Sequence, residues 1–158
     1  MKIKSCLTPA LSVLTAALLT FTGCTSGKPP VQPVAVADDD ANPVALGHVR
    51  WMLTELNGQF VAPGRDETTI PVLEFDPAKQ AVSGSSGINL FMGSCELAIG
   101  KLKFNNLAMT RRAGAPELME QETAFMRALG AVTDWKRIGN RLELLAGKKT
   151  VVAFAAHP

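Results

Sequence analysis

Pro116-Glu-Leu-Met-Glu-Gln-Glu-Thr-Ala-Phe-Met-Arg-Ala-Leu-Gly130 stands out from its surroundings as a helix. Pro116 suits a first helical turn, where its missing N–H costs nothing. Glu117, Glu120 and Glu122 place negative charge near the positive end of the helix dipole. Leu118, Phe125 and Leu129 are spaced seven and four apart, which aligns them on one face. Met119 and Met126 widen that stripe, and Gly130 ends it. The stripe reads as core packing against a sheet.

The flanks of this helix have the other periodicity. On its C-terminal side, 133–138, 141–145 and 150–155 read as three strands, separated by Gly139-Asn140 and Gly147-Lys148-Lys149. Such pairs are the chemistry that tight hairpins require. Leu142 and Leu144 fall on one face, as do Val152 and Phe154. On its N-terminal side, 49–53 and 69–75 read as strands, with a turn at Asn57-Gly58. Residues 81–83 lead into a turn at Gly84-Ser85-Ser86-Gly87, with positive φ expected at one or both glycines. Leu97, Ile99, Leu102 and Phe104 alternate across Gly100, predicting a hairpin with one buried face. Several strands, one helix and then a three-strand meander predict an α+β domain, not a parallel βαβ fold.

Upstream the composition changes. Lys2 and Lys4 precede an apolar run, 7–21, that is too short for an ordinary spanning helix. Phe21-Thr22-Gly23-Cys24 resembles the bacterial lipoprotein box, in which the cysteine is acylated and the chain is cut before it. Residues 25–43 contain Pro29, Pro30, Pro33, Pro43 and Asp38-Asp39-Asp40 and no aromatic residue, and read as a semi-extended tether. The three aspartates read as a solvated spacer, because adjacent carboxylates in a linker lack a shaped oxygen cage for calcium. The chain therefore divides into a leader at 1–23, a lipidated Cys24 with its tether at 24–44, and one domain at 45–158. The absence of Asp after Cys24 resembles an outer-membrane sorting signal, so the expected location is the outer membrane, facing the periplasm.

Composition narrows the chemistry. Without Lys2 and Lys4, fourteen basic and fourteen acidic residues remain, and no basic stripe marks a nucleic-acid surface. Cys6 leaves with the leader and Cys24 carries lipid, so Cys95 is the remaining thiol and reads as a small half-buried strand residue. A nucleophilic cysteine needs a nearby base, and the histidines are only His48 and His157, near the two ends of the domain. Gly84-Ser85-Ser86-Gly87 lacks the Lys-Ser/Thr ending of a phosphate loop and the Gly-x-Ser-x-Gly of a nucleophile elbow. No His/Cys cluster suggests a metal, and no cofactor is expected. Asn89, Thr110 and Arg111 read as satisfying backbone groups where a strand meets a loop, with anion binding as the alternative.

Four segments together resemble the META domain family of HslJ-like heat-inducible bacterial lipoproteins. They are 51–58 (Trp51-Met-Leu-Thr-Glu-Leu-Asn-Gly58), 83–93, 107–113, and the helix with Glu122, Phe125 and Leu129 followed by Leu142, Leu144 and Phe154. The resemblance covers about 46–156 and implies a small, strongly curved antiparallel sheet, half closed into a barrel, with the helix packed across its opening. It implies structural roles for Trp51, Gly84, Gly87, Ile88 and Gly114. Family members often carry Cys where this chain has Ile88 and again where it has Gly114. Their joint loss predicts that an apolar side chain covers a glycine in place of a disulfide. The resemblance attaches no reaction. It implies a non-enzymatic lipoprotein, anchored in the membrane by Cys24, that binds an envelope protein or an apolar ligand and supports envelope integrity under heat or antibiotic stress. The alternatives are a pilot-like chaperone for a secretin or another outer-membrane assembly, and an inhibitor of a periplasmic hydrolase or protease acting through a loop at 62–68.

Overall fold

The computed structural model describes residues 41–62 and 67–157. The expected leader, Cys24, most of the tether and the centre of the 62–68 loop lie outside the described residues. Among the described residues nine strands and one long helix follow one another: β1 Arg50–Leu56, β2 Gln59–Phe60, β3 Val72–Asp76, β4 Ala81–Ser85, β5 Leu90–Ala98, β6 Lys101–Met109, α1 Pro116–Gly130, β7 Asp134–Ile138, β8 Arg141–Ala146 and β9 Lys149–His157. They form one antiparallel sheet in which β9 also pairs with β1, so the sheet curves round upon itself. Trp51 shows the closure directly, facing Leu73 of β3 on one side and Ala156 of β9 on the other.

The ring is narrowest in pairing between β6 and β7, where the one register pair is Lys101 with Asp134. Several contacts hold that seam, among them the Trp135 backbone N–H donating to the Gly100 carbonyl at 3.2 Å. Lys101 forms an ion pair with Asp134. The Leu102 N–H donates to the Thr133 carbonyl at 3.2 Å. The Trp135 indole N–H donates to the Ala98 carbonyl at 2.8 Å. The chain leaves β6, crosses back as α1, and returns at β7.

Alternation supplies the core. Trp51, Leu53, Phe75, Val82, Phe91, Cys95, Phe104, Leu142, Leu144, Val152 and Phe154 are buried together with Phe125 and Leu129 of α1. The Phe125 ring meets Phe91 and Phe154 edge-on, with centroids 6.0 and 6.2 Å apart, a favoured geometry for aromatic pairs. A short 3-10 turn at Pro43–Leu46 buries Leu46 against the ring. The Trp51 indole N–H donates to the Leu46 carbonyl at 3.2 Å. The Arg137 guanidinium lies 5.4 Å from the Trp51 ring and donates to the Ala45 carbonyl at 2.7 Å.

The helix has the bounds that its sequence predicts, 116–130, and the three-strand meander lies within a few residues of expectation. Elsewhere the sequence reading needs correction. A 3-10 turn occupies Glu67–Thr69, so β3 begins at Val72 and not at 69. The strand leading to Gly100 begins at Leu90, and a bulge interrupts its pairing with β6. Asn106 absorbs that bulge at φ 52°, a region that asparagine tolerates better than most residues. Ile99 is not on the buried face: it is 73% exposed at the hairpin turn, while Phe91 and Cys95 point inward. Gly84 is not in a turn either. It pairs within β4, and of the two glycines only Gly87, at φ 95°, has positive φ.

Gly84 is required for a packing reason. A Cβ at that position would clash with the Val72 carbonyl oxygen and stand 2.7 Å from the Phe91 ring. A Cβ on Gly130, at the end of α1, would meet nothing within 4 Å. Gly84→Ala is therefore expected to destabilise the domain by about 3 kcal/mol or more, through displaced backbone and core. Gly130→Ala is expected to stabilise it by up to about 1 kcal/mol. Denaturant titration of both variants checks the contrast in sign.

Candidate functional site

The buried polar side chains of the core converge on one place. Ser86, Asn89 and Glu122 are only 1%, 2% and 5% exposed. Glu122 reaches this site because it lies on the apolar stripe of α1: positions 118, 122, 125 and 129 are spaced four, three and four apart. The sequence reading counts Glu122 among the charges that favour the helix start. Its spacing was the signal that it faces the core.

Asn89 occupies the centre. Its amide nitrogen donates to both oxygens of Glu122, at 3.1 and 3.0 Å, and to the Arg112 carbonyl at 3.3 Å. Its amide oxygen accepts from the Thr110 hydroxyl at 2.8 Å and from the Arg112 N–H at 2.7 Å. Ser86 donates its hydroxyl to Glu122 and accepts the Asn89 N–H at 3.0 Å. The Ser86 N–H donates to the Asn89 carbonyl at 2.8 Å. The Thr110 oxygen also accepts the Leu90 N–H at 3.1 Å. One asparagine thus joins the β4–β5 loop, the end of β6, the approach to α1, and α1 itself.

Of Asn89, Thr110 and Arg111, expected to satisfy backbone groups where a strand meets a loop, the first two do so. Asn89 and Thr110 meet. The third partner is the backbone of Arg112, whereas Arg111 is exposed. Among the described residues no buried side-chain nitrogen or oxygen lacks a hydrogen-bond partner. With its donors and acceptors engaged by one another, the cluster clamps a helix to a sheet.

Two nearby glycines complete the clamp. A Cβ on Gly87 would clash with the Thr69 carbonyl oxygen. A Cβ on Gly114 would stand 2.6 Å from Cδ1 of Ile88 and 3.1 Å from its Cγ1. Ile88 thus lies directly over Gly114. Cys95 is buried more deeply than its strand position suggests, and burial pushes its thiol pKa up, away from reactivity.

A second polar cluster lies on the outer face of β1, β7, β8 and β9. Glu143 accepts from Lys136 at 2.9 Å, from Arg141 at 2.9 Å and from Thr150 at 3.2 Å, and Arg141 also pairs with Glu55. Burial alone would raise the Glu143 pKa. The hydrogen bonds from Lys136 and Arg141 outweigh it and hold the carboxyl at about 2, below the ordinary 4.5. Among the described residues no group of three potential metal ligands comes together.

Comparison with known families fits this architecture. The chain belongs to the META domain family, whose model matches residues 44–158. Two NMR structures resemble it. A protein from Burkholderia xenovorans is 27% identical, with the match covering 80% of this chain and 96% of that one at a TM-score of 0.59. A second protein is 29% identical, covering 72% and 93% at a TM-score of 0.57. A crystal structure of a DUF4847 family protein from Bacteroides vulgatus shares the fold at 20% identity and a TM-score of 0.50, covering 70% and 92%. The comparison with curated proteins finds no match.

Glu122→Ala removes the acceptor that Asn89 and Ser86 share in the core and is expected to cost about 2–4 kcal/mol. Glu122→Gln keeps the shape and one acceptor oxygen and is expected to cost clearly less; equal losses in urea unfolding would contradict the clamp. Ile88→Cys with Gly114→Cys is expected to form a disulfide under oxidation and to add about 2–4 kcal/mol, read as a mobility shift and a raised Tm. The Glu143 carboxyl has a folded pKa below its unfolded value. Its contribution is complete above about pH 5 and is lost as pH falls towards 2. With its cations half exposed, the contribution is about 2 kcal/mol. Glu143→Gln should flatten the acid limb of stability against pH.

Proposed function

We propose that this chain is a non-enzymatic envelope lipoprotein, in which residues 1–23 are removed, Cys24 is acylated, and 25–44 tethers a META domain to the outer membrane on its periplasmic side. The domain acts by binding a protein partner, and so supports envelope integrity under heat or antibiotic stress. The observation that carries this reading is where the chemistry of the core has gone. Phe125, Phe91 and Phe154 pack together inside the sheet, and Ser86, Asn89 and Glu122 bond to one another. In this reading the sheet is a half-open barrel with α1 as its stopper. Recognition then falls to the outer surface and not to the interior, which favours a protein partner over an apolar ligand held inside.

The anchor is tested by Cys24→Ala. Labelled palmitate is expected to enter the wild-type chain and not the variant, and the variant should leave the membrane fraction. Retention of the variant in the membrane ends the lipoprotein reading. Crosslinking the native chain in its own membrane is expected to give a discrete adduct with one envelope protein. A chain that crosslinks only to itself removes the protein partner.

A further inference from the structure

The outer face of β4, β5 and β6 carries two large apolar side chains in the open. Leu90 is 63% and Met92 is 66% exposed. Their cross-strand neighbours are small and uncharged: Ser85 faces Leu90, Ser83 faces Met92 from β4, and Ala108 faces Met92 from β6. The face is therefore shallow, with an apolar centre. Arg111 and Arg112 stand at its corner. The Thr110 N–H donates to the Leu90 carbonyl at 3.0 Å, and the Arg112 backbone is bonded to Asn89, so this corner is fixed to the face. Among the described residues neither arginine side chain forms an ion pair, whereas Glu74, opposite Ser83 on β3, is paired with Arg50. Glu117 and Glu120 follow the arginines in the chain, at the start of α1.

We infer that this face rests on anionic phospholipid headgroups of the leaflet that holds the lipid anchor. The inference builds on the reading of Cys24 given above. The eighteen residues from Cys24 to Ala41 can extend to at most about 60 Å, so the domain never escapes the neighbourhood of the bilayer. At such an effective concentration a weak surface suffices. Two side chains that enter the headgroup boundary and two arginines that meet phosphate form such a surface. A protein partner would then engage the opposite side of the ring.

The test uses the full lipidated chain in vesicles, with a fluorophore on Ser83→Cys, beside Met92. Cys95 is buried and escapes labelling. Ile138→Cys, exposed on the β7–β8 hairpin, is the control position. In vesicles containing phosphatidylglycerol, brominated lipid is expected to quench the label at 83 about twofold or more over the label at 138. Arg111→Glu with Arg112→Glu, Leu90→Glu with Met92→Glu, or raised salt should bring the two labels together. Vesicles of phosphatidylcholine alone should show a smaller difference. Equal quenching at both positions in anionic vesicles overturns the inference. So does shielding of the label at 83 from water without quenching by brominated lipid, which would mark a protein on this face. The mass of the mature chain reports acylation of Cys24 separately. If it is absent, the anchor reading falls, and adding anionic vesicles at high lipid concentration to that chain still decides whether the face binds.

Discussion

The carboxylate of Glu122 is the constraint on which the rest of the domain depends. It lies at the core with no cation beside it among the described residues, held by Asn89 and Ser86. A buried carboxylate is tolerated only when hydrogen bonds replace its water. Here those bonds come from a loop of the sheet, while the carboxylate comes from the helix. The helix cannot shift or rotate without taking the Glu122 oxygens away from the Asn89 amide and the Ser86 hydroxyl together. Apolar contacts at Phe125 and Leu129 favour burial of this face of the helix; the polar cluster fixes its register against the sheet.

That registration matters because the ring is weakly paired where the helix departs and returns. Most neighbouring strands share several register pairs, but β6 and β7 share one. The Trp135 indole and the Lys101–Asp134 pair close the seam at one end. Phe125 fills the interior between Phe91 of β5 and Phe154 of β9. The core side chains are committed to structure.

Much of the fold was legible in local chemistry. The bounds of α1 followed from Pro116, Gly130 and a seven-and-four spacing. The hairpins at Asn57-Gly58, Gly139-Asn140 and Gly147-Lys148 followed from turn residues, and Asn57 and Gly58 do take φ of 52° and 81°. The site was half legible: Asn89 and Thr110 were expected at a strand–loop junction, and Ile88 was expected over Gly114. Misreadings arose where a residue's role depends on a distant partner. Gly84 looked like a turn because glycine usually marks one, yet its reason is the Phe91 ring from the next strand. Arg111 was expected to satisfy backbone groups beside Asn89 and Thr110, yet its side chain is exposed, and it is the backbone of Arg112 that reaches Asn89.

By itself, the sequence determined the order and type of the elements, because helix and strand periods and turn residues act within a few positions. It also determined the family, through four segments in register. The tertiary structure decided which side chains meet: that β9 returns to β1, that Glu122 is core and not surface, and that one asparagine ties a loop, a strand end and a helix together. Such pairings depend on chain closure over tens of residues. A buried charge shows its purpose only when its hydrogen-bond partners, distant in the chain, are brought within about 3 Å.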